Sequence, residues 1–156
     1  MHALCTVISK KIDGIHQVIY EQCDCRNWDY ADIGGRYDRI IPVSKKTKDI
    51  MEGRNFPFND EGYADNGFPF HAIENNENLK YVSIARIRNI DREEVRRIQN
   101  ADLVNPFNPY SYILEDDSGY FTEEIFTEDR GIEQLMDYIN DPRHSYYYLA
   151  IIDYHF

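Results

Sequence analysis

The run Tyr146-Tyr147-Tyr148-Leu149-Ala150-Ile151-Ile152-Asp153-Tyr154 constrains the fold more than any other segment. Long, apolar and rich in aromatic and β-branched residues, it reads as a central strand of a sheet. A second run at the other end of the chain, Ala3-Leu4-Cys5-Thr6-Val7-Ile8, reads as a buried strand. After Lys10-Lys11 two signals compete. Asp13-Gly14 between apolar runs fits a hairpin, whereas Ile15, Val18, Ile19 and Cys23 recur at helical spacing with Asp13 as a cap. The helix is favoured. Residues 26–43 read as a turn into a strand over 36–43, which Pro42 ends or places at an edge.

Further along, a basic patch, Lys45-Lys46-Thr47-Lys48, precedes a short helical stretch near Asp49-Ile50-Met51-Glu52. Residues 53–78 hold the densest turn composition and two copies of Phe-Pro-Phe, at 56–58 and 68–70, which suggests a long loop pinned by aromatic anchors. A strand is expected over 79–87, then a helix begun by Asp91 with Glu94 three residues on. Tyr112-Ile113-Leu114-Glu115 and Tyr120-Phe121-Thr122-Glu123 flank Asp116-Asp117-Ser118-Gly119, a hairpin. Ile132, Leu135, Met136 and Ile139 mark an amphipathic helix stopped by Pro142. The expectation is one α+β domain over 1–156, with a mixed or mainly antiparallel sheet and helices packed on one face.

Charge and composition narrow the function. The chain has 156 residues and a net charge of −11, with 42% apolar and 14% aromatic residues. That is enough apolar chain for a core, and no run approaches the roughly 20 residues of a membrane helix. The start lacks the basic and apolar stretches of a secretory signal, and three cysteines (Cys5, Cys23, Cys25) form an odd set. Both favour the cytoplasm of a bacterial host cell over an oxidising space. Cys23-Asp24-Cys25 has no second pair to complete a tetrahedral site, so neither metal nor cofactor is expected. The negative charge repels phosphate backbones and favours a basic partner over direct nucleic-acid binding.

The strongest local motif is Trp28-Asp29-Tyr30-Ala31-Asp32-Ile33-Gly34-Gly35-Arg36-Tyr37. Two adjacent glycines allow backbone angles and close approaches denied to other residues. Arg36 directly after them could aim a planar fork of donors at a phosphate or carboxylate, and Trp28, Tyr30 or Tyr37 could stack on a base. The other reading is structural: Arg36 pairs with Asp29 or Asp32, and Trp28 plugs the core. Neither a P-loop nor a dinucleotide fingerprint is present.

Asp153 and His155, two apart on a strand, share a face and could act as an orienting carboxylate and a base, or as two metal ligands, the structural reading being a His hydrogen-bonded to the backbone or to Asp153. The remaining histidines, His2, His16, His71 and His144, show no regular spacing and are read as structural. This motif, with the closing Asp153-Tyr154-His155-Phe156, resembles a W-D-[WY]-x-x-I-G-G-R-[WY] signature and terminal D-x-H-apolar strand of small bacteriophage and mobile-element proteins. Tyr37 stands where Trp is common there and Tyr154 where Cys is common. The resemblance implies a mobile-element origin and brings no activity with it.

Two functional readings follow. In the first the protein acts by binding, without catalysis. Its acidic, tyrosine-rich hairpin (Tyr110, Tyr112, Glu115, Asp116, Asp117, Tyr120, Glu123 and Glu124) faces solvent and occupies the basic nucleic-acid channel of a host protein, as an anti-defence inhibitor does. In the second, the protein is a nucleotide or phosphate binder, or a small nucleotide hydrolase. Trp28, Tyr30, Gly34, Gly35, Arg36, Tyr37, Asp153 and His155 then form its site.

Overall fold

A computed structural model describes residues 1–44, 81–99, 105–125 and 131–156. In chain order these form β1 (His2–Ser9), α1 (Ile12–Asp24), β2 (Tyr30–Ile33), β3 (Ile41–Pro42), β4 (Tyr81–Val82), β5 (Ile84–Arg86), α2 (Arg92–Gln99), β6 (Ser111–Glu115), β7 (Phe121–Ile125), α3 (Gly131–Asn140) and β8 (Tyr148–His155). The basic patch at 45–48, the helical stretch at 49–52, the aromatic loop at 53–78 and the acidic groups within it, and those at 128–129, lie outside the described residues.

The closing run is central, as its composition demands. β8 pairs antiparallel with β1 over eight residues, from His2 opposite His155 to Ser9 opposite Tyr148. Its other edge carries two short strands end to end, β5 opposite 148–150 and β2 opposite 152–155. Beyond β1 the sheet continues through a parallel pairing with β6 and an antiparallel hairpin to β7, in the order β2-β8-β1-β6-β7. β3 and β4 form a separate two-stranded pair. The sheet is mixed and the fold is α+β.

Helices cover both faces of this sheet, which corrects the expectation of a single covered face. Ala3, Cys5 and Val7 of β1, with Ala150, Ile152 and Tyr154 of β8, pack against Ile12, Ile15 and Val18 of α1. The alternate residues Leu4, Ile8, Leu149 and Ile151 pack with Val95 of α2 and with Leu135 and Ile139 of α3. Seven of the eight β8 residues are buried, so apolar side chains leave both surfaces of the strand and both need cover.

Local chemistry and strand pairing explain most elements and three departures. Gly14 is no hairpin turn: it lies in α1, where a β-carbon would collide with Ser9 Oγ of the neighbouring strand. Lys11 takes the cap position that Asp13 was expected to fill. Asp91 does cap α2, its Oδ1 accepting the Glu93 and Glu94 N–H groups at 3.1 and 3.2 Å. The strand expected over 36–43 is reduced to Ile41–Pro42, because the edge of β8 is taken earlier by Tyr30–Ile33 and the chain then turns through a 3₁₀ segment, Gly35–Tyr37. The strand expected over 79–87 breaks at Ser83, since Tyr81–Val82 pairs with β3 and Ile84–Arg86 with β8.

Candidate functional site

The sheet register gathers polar side chains at one end. Asp153 and His155 share a face of β8, as their spacing requires. Opposite them stand Tyr30 and Asp32 on β2 and His2 on β1, with Tyr30 and His2 both directly across from His155. Along the same face the preceding positions, Ile151 and Leu149, belong to the core. The face thus changes from apolar to polar at Asp153.

Asp153 is the hub. It is 5% exposed, and such a carboxylate needs donors on both oxygens. Oδ1 accepts from His2 Nδ1 at 2.8 Å and Oδ2 from the Arg36 backbone N–H at 2.8 Å. A carboxylate accepts, so Nδ1 of His2 is the donor, and Nε2 is the ring nitrogen turned away from Asp153. That nitrogen faces the Tyr30 hydroxyl at 3.3 Å. Tyr30 is 50% exposed, and its ring stacks on His155 with centroids 5.0 Å apart and planes 4° apart.

Asp153 and His155 do not bond each other, which corrects the expected pair. Two residues apart along a strand is about 6.6 Å, a gap the short Asp153 side chain does not cross, whereas the His2 ring leans over from β1. His155 instead takes Asp29 Oδ2 on Nδ1 and the Met1 nitrogen on Nε2, each at 2.9 Å.

The double glycine turns the chain onto this carboxylate. Gly34 and Gly35 both have positive φ, +80° and +53°, the region where a β-carbon is strained. Gly34 N–H donates to Ile151 C=O at 2.9 Å, which docks the turn on β8. The Arg36 side chain is exposed, and among the described residues its guanidinium has no hydrogen bond or ion pair, so the pairing with Asp29 or Asp32 is not formed.

Of the residues singled out for ligand binding, Tyr30, Gly34, Gly35, Arg36, Asp153 and His155 come together. Trp28 and Tyr37 do not. Trp28 is 3% exposed and stacks on Tyr154, centroids 4.6 Å apart, in the core under α1 on the opposite face of the sheet. Tyr37 packs against the other core. His2 and Asp29 join the site without having been singled out. The signal for His2 was the antiparallel pairing of the first and last strands, which sets it against His155.

The hairpin set divides. Tyr110, Asp116, Asp117, Tyr120, Glu123 and Glu124 are exposed, Tyr120 to 72%. Tyr112 and Glu115 are buried, which corrects their expected exposure. The Tyr112 hydroxyl donates to Gln134 at 2.8 Å, while Glu115, 7% exposed, accepts from Ser9 Oγ at 3.0 Å and pairs with Lys10 at 3.5 Å. Asp116 is occupied within the turn, accepting the Ser118 and Tyr120 N–H groups, and Asp117 lies 3.4 Å from Arg143. Glu123 and Glu124, opposite Ile113 and Tyr112, alternate between the two faces of β7.

Cys5 is fully buried and its thiol is pushed up to about 12 by desolvation, while Cys25 is exposed. Among the described residues no group of three or more His, Cys, Asp and Glu is placed to hold a metal ion, and no helix is long and apolar enough to cross a membrane. Comparison with protein-family models, with curated proteins and with solved structures finds no match to this chain.

Proposed function

We propose that the protein binds a small phosphorylated ligand of the nucleotide class where β1, β2 and β8 meet. The observation that carries this reading is that one buried carboxylate, Asp153, holds both the His2 ring and the backbone of Arg36. An acid–base imidazole and a guanidinium-bearing residue are thereby anchored at one point. Arg36 supplies the planar fork suited to phosphate oxygens. The half-exposed Tyr30 ring, backed by His155, offers a surface on which a base can stack. In a chain of net charge −11, an exposed arginine with no carboxylate partner among the described residues, its backbone held on the same carboxylate as His2, is a local site for an anion.

Thermal denaturation with mono-, di-, tri- and cyclic nucleotides tests the reading. At a ligand concentration a hundred times Kd, binding adds about 2.7 kcal/mol to the folded state. The expected result is a melting shift lost in Arg36→Ala, whose own melting temperature stays near that of the parent. A melting temperature unmoved by every nucleotide removes the reading.

A second reading keeps the hairpin as a contact for a basic host protein, in the manner of a phage-encoded anti-defence inhibitor. Tyr120, highly exposed and set among Asp116, Asp117, Glu123 and Glu124, favours it. Its salt-sensitive association is tested by a pull-down across ionic strength with Asp116→Asn/Asp117→Asn. Capture that ignores both changes rejects it.

A further inference from the structure

We infer that Tyr30 is a nucleophile activated by the Asp153–His2 pair, and that it accepts a nucleotidyl group from a nucleoside triphosphate; this rests on the nucleotide reading above. The alignment runs in one direction. Asp153, buried and held by Arg36 N–H on its far oxygen, fixes the His2 ring through Nδ1 at 2.8 Å. Among the described residues the opposite ring nitrogen then meets one group, the Tyr30 hydroxyl at 3.3 Å. The Tyr30–His2 contact is an exposed one and Tyr30 as a residue is 50% exposed, so a ligand can reach this side chain from solvent. The arrangement is that of a nucleophile, a base and a carboxylate that orients the base.

The step balances without a second acid. The Tyr30 oxygen forms a bond to the α-phosphorus, and its proton passes to His2 Nε2, giving an imidazolium beside the Asp153 carboxylate. The bond from phosphorus to the bridging oxygen breaks, and pyrophosphate leaves as an anion with the bonding pair. An alkyl phosphodiester would need a proton on its leaving oxygen. His2 is committed to the nucleophile, and His155 has both ring nitrogens engaged, with Asp29 and with the Met1 nitrogen. A phosphoanhydride needs no such proton, and with the donors found among the described residues this favours a triphosphate as the substrate class.

Two exposures of the full chain test the inference, each read by peptide mass mapping. The first uses phenylmethanesulfonyl fluoride, in which an oxygen–sulfur bond forms, the sulfur–fluorine bond breaks and fluoride leaves. Tyr20 and Tyr120, 70% and 72% exposed, are internal controls. Tyr30 is expected to react about a hundredfold faster than either, the scale of general-base assistance, and to fall to the control rate in His2→Gln. The second uses a mixture of ribonucleoside triphosphates with magnesium chloride. A nucleoside monophosphate is expected on Tyr30 and nowhere in Tyr30→Phe.

Tyr30 reacting at the control rate overturns the inference, a comparison within the wild-type chain that requires no variant to fold. So does sulfonylation of Tyr30 without nucleotide transfer. A nucleotide-induced melting shift with no tyrosyl adduct overturns this inference and leaves the binding reading standing. Absence of both removes the two together.

Discussion

A β-carbon on Gly35 would stand 2.5 Å from Oδ2 of Asp153, the same oxygen that accepts the Arg36 N–H. Glycine is therefore what allows the turn to close over the buried carboxylate. Gly35→Ala is expected to destabilise the fold by about 3 kcal/mol, combining left-handed backbone strain with a displaced Asp153. Gly34→Ala, which would press on Asp38 Oδ1 at 2.7 Å and Ser83 Oγ at 2.8 Å, belongs with it. Gly119→Ala has a positive φ but open space around it and should cost only about 1 kcal/mol. Urea denaturation of the three variants checks the order.

Glu115 and Glu123 face the same side of the β6–β7 hairpin but differ in burial. Glu115→Ala leaves Ser9 Oγ and Lys10 without their carboxylate and is expected to cost about 2 kcal/mol. Glu123→Ala, on an exposed side chain, should stay within about 0.5 kcal/mol of the parent. Equal effects in chemical denaturation would contradict the burial of Glu115.

Trp28 is the one tryptophan of the chain, and it is sealed between α1 and Tyr154. Its emission should be blue-shifted in the native protein and move to longer wavelength on unfolding, with no change on adding an aqueous quencher to the folded state. Trp28→Ala should remove about 3–5 kcal/mol, enough to threaten folding of an ordinary domain.

Alkali should unfold the protein by way of its buried acids. Desolvation raises Cys5 from 9.0 to about 12 and Tyr154 from 10.0 to about 12. Above pH 9 the unfolded chain has begun to release these protons while the folded chain keeps them, so the folded state binds more protons and stability falls as pH rises. A loss of stability between pH 9 and 12 in urea titrations is expected, smaller in Cys5→Ala. A maleimide at neutral pH should meanwhile label the exposed Cys25 in the native state and reach Cys5 only on unfolding.

Signals that depend on near neighbours were legible. The helical spacing of Ile15 and Val18, the Asp91 cap, the Asp116–Gly119 turn and the Pro142 stop each act within a few residues, and each is present in the fold. The strand expected over 36–43 failed because its β-favouring composition competed with pairing to β8, which Tyr30–Ile33 won. Tyr112 and Glu115 looked like surface residues of an acidic hairpin. Their burial depends on α3 and on Ser9, neither adjacent in sequence. The glycine pair and Arg36 were recognisable as a turn that could bring backbone close to a group. Which group it met was not.

Composition and periodicity alone determined an α+β chain with strands at both ends, a central last strand and an acidic surface. Only the tertiary structure decided that helices cover both faces, that Trp28 faces away from the site, and that Asp153 chooses His2 over His155. Periodicity is a property of a few consecutive residues, whereas a cross-strand partner depends on register between segments from opposite ends of the chain. That register is set where the apolar side chains of β1 and β8 bury together, and the polar cluster at His2, Tyr30 and Asp153 is what the pairing leaves at its end.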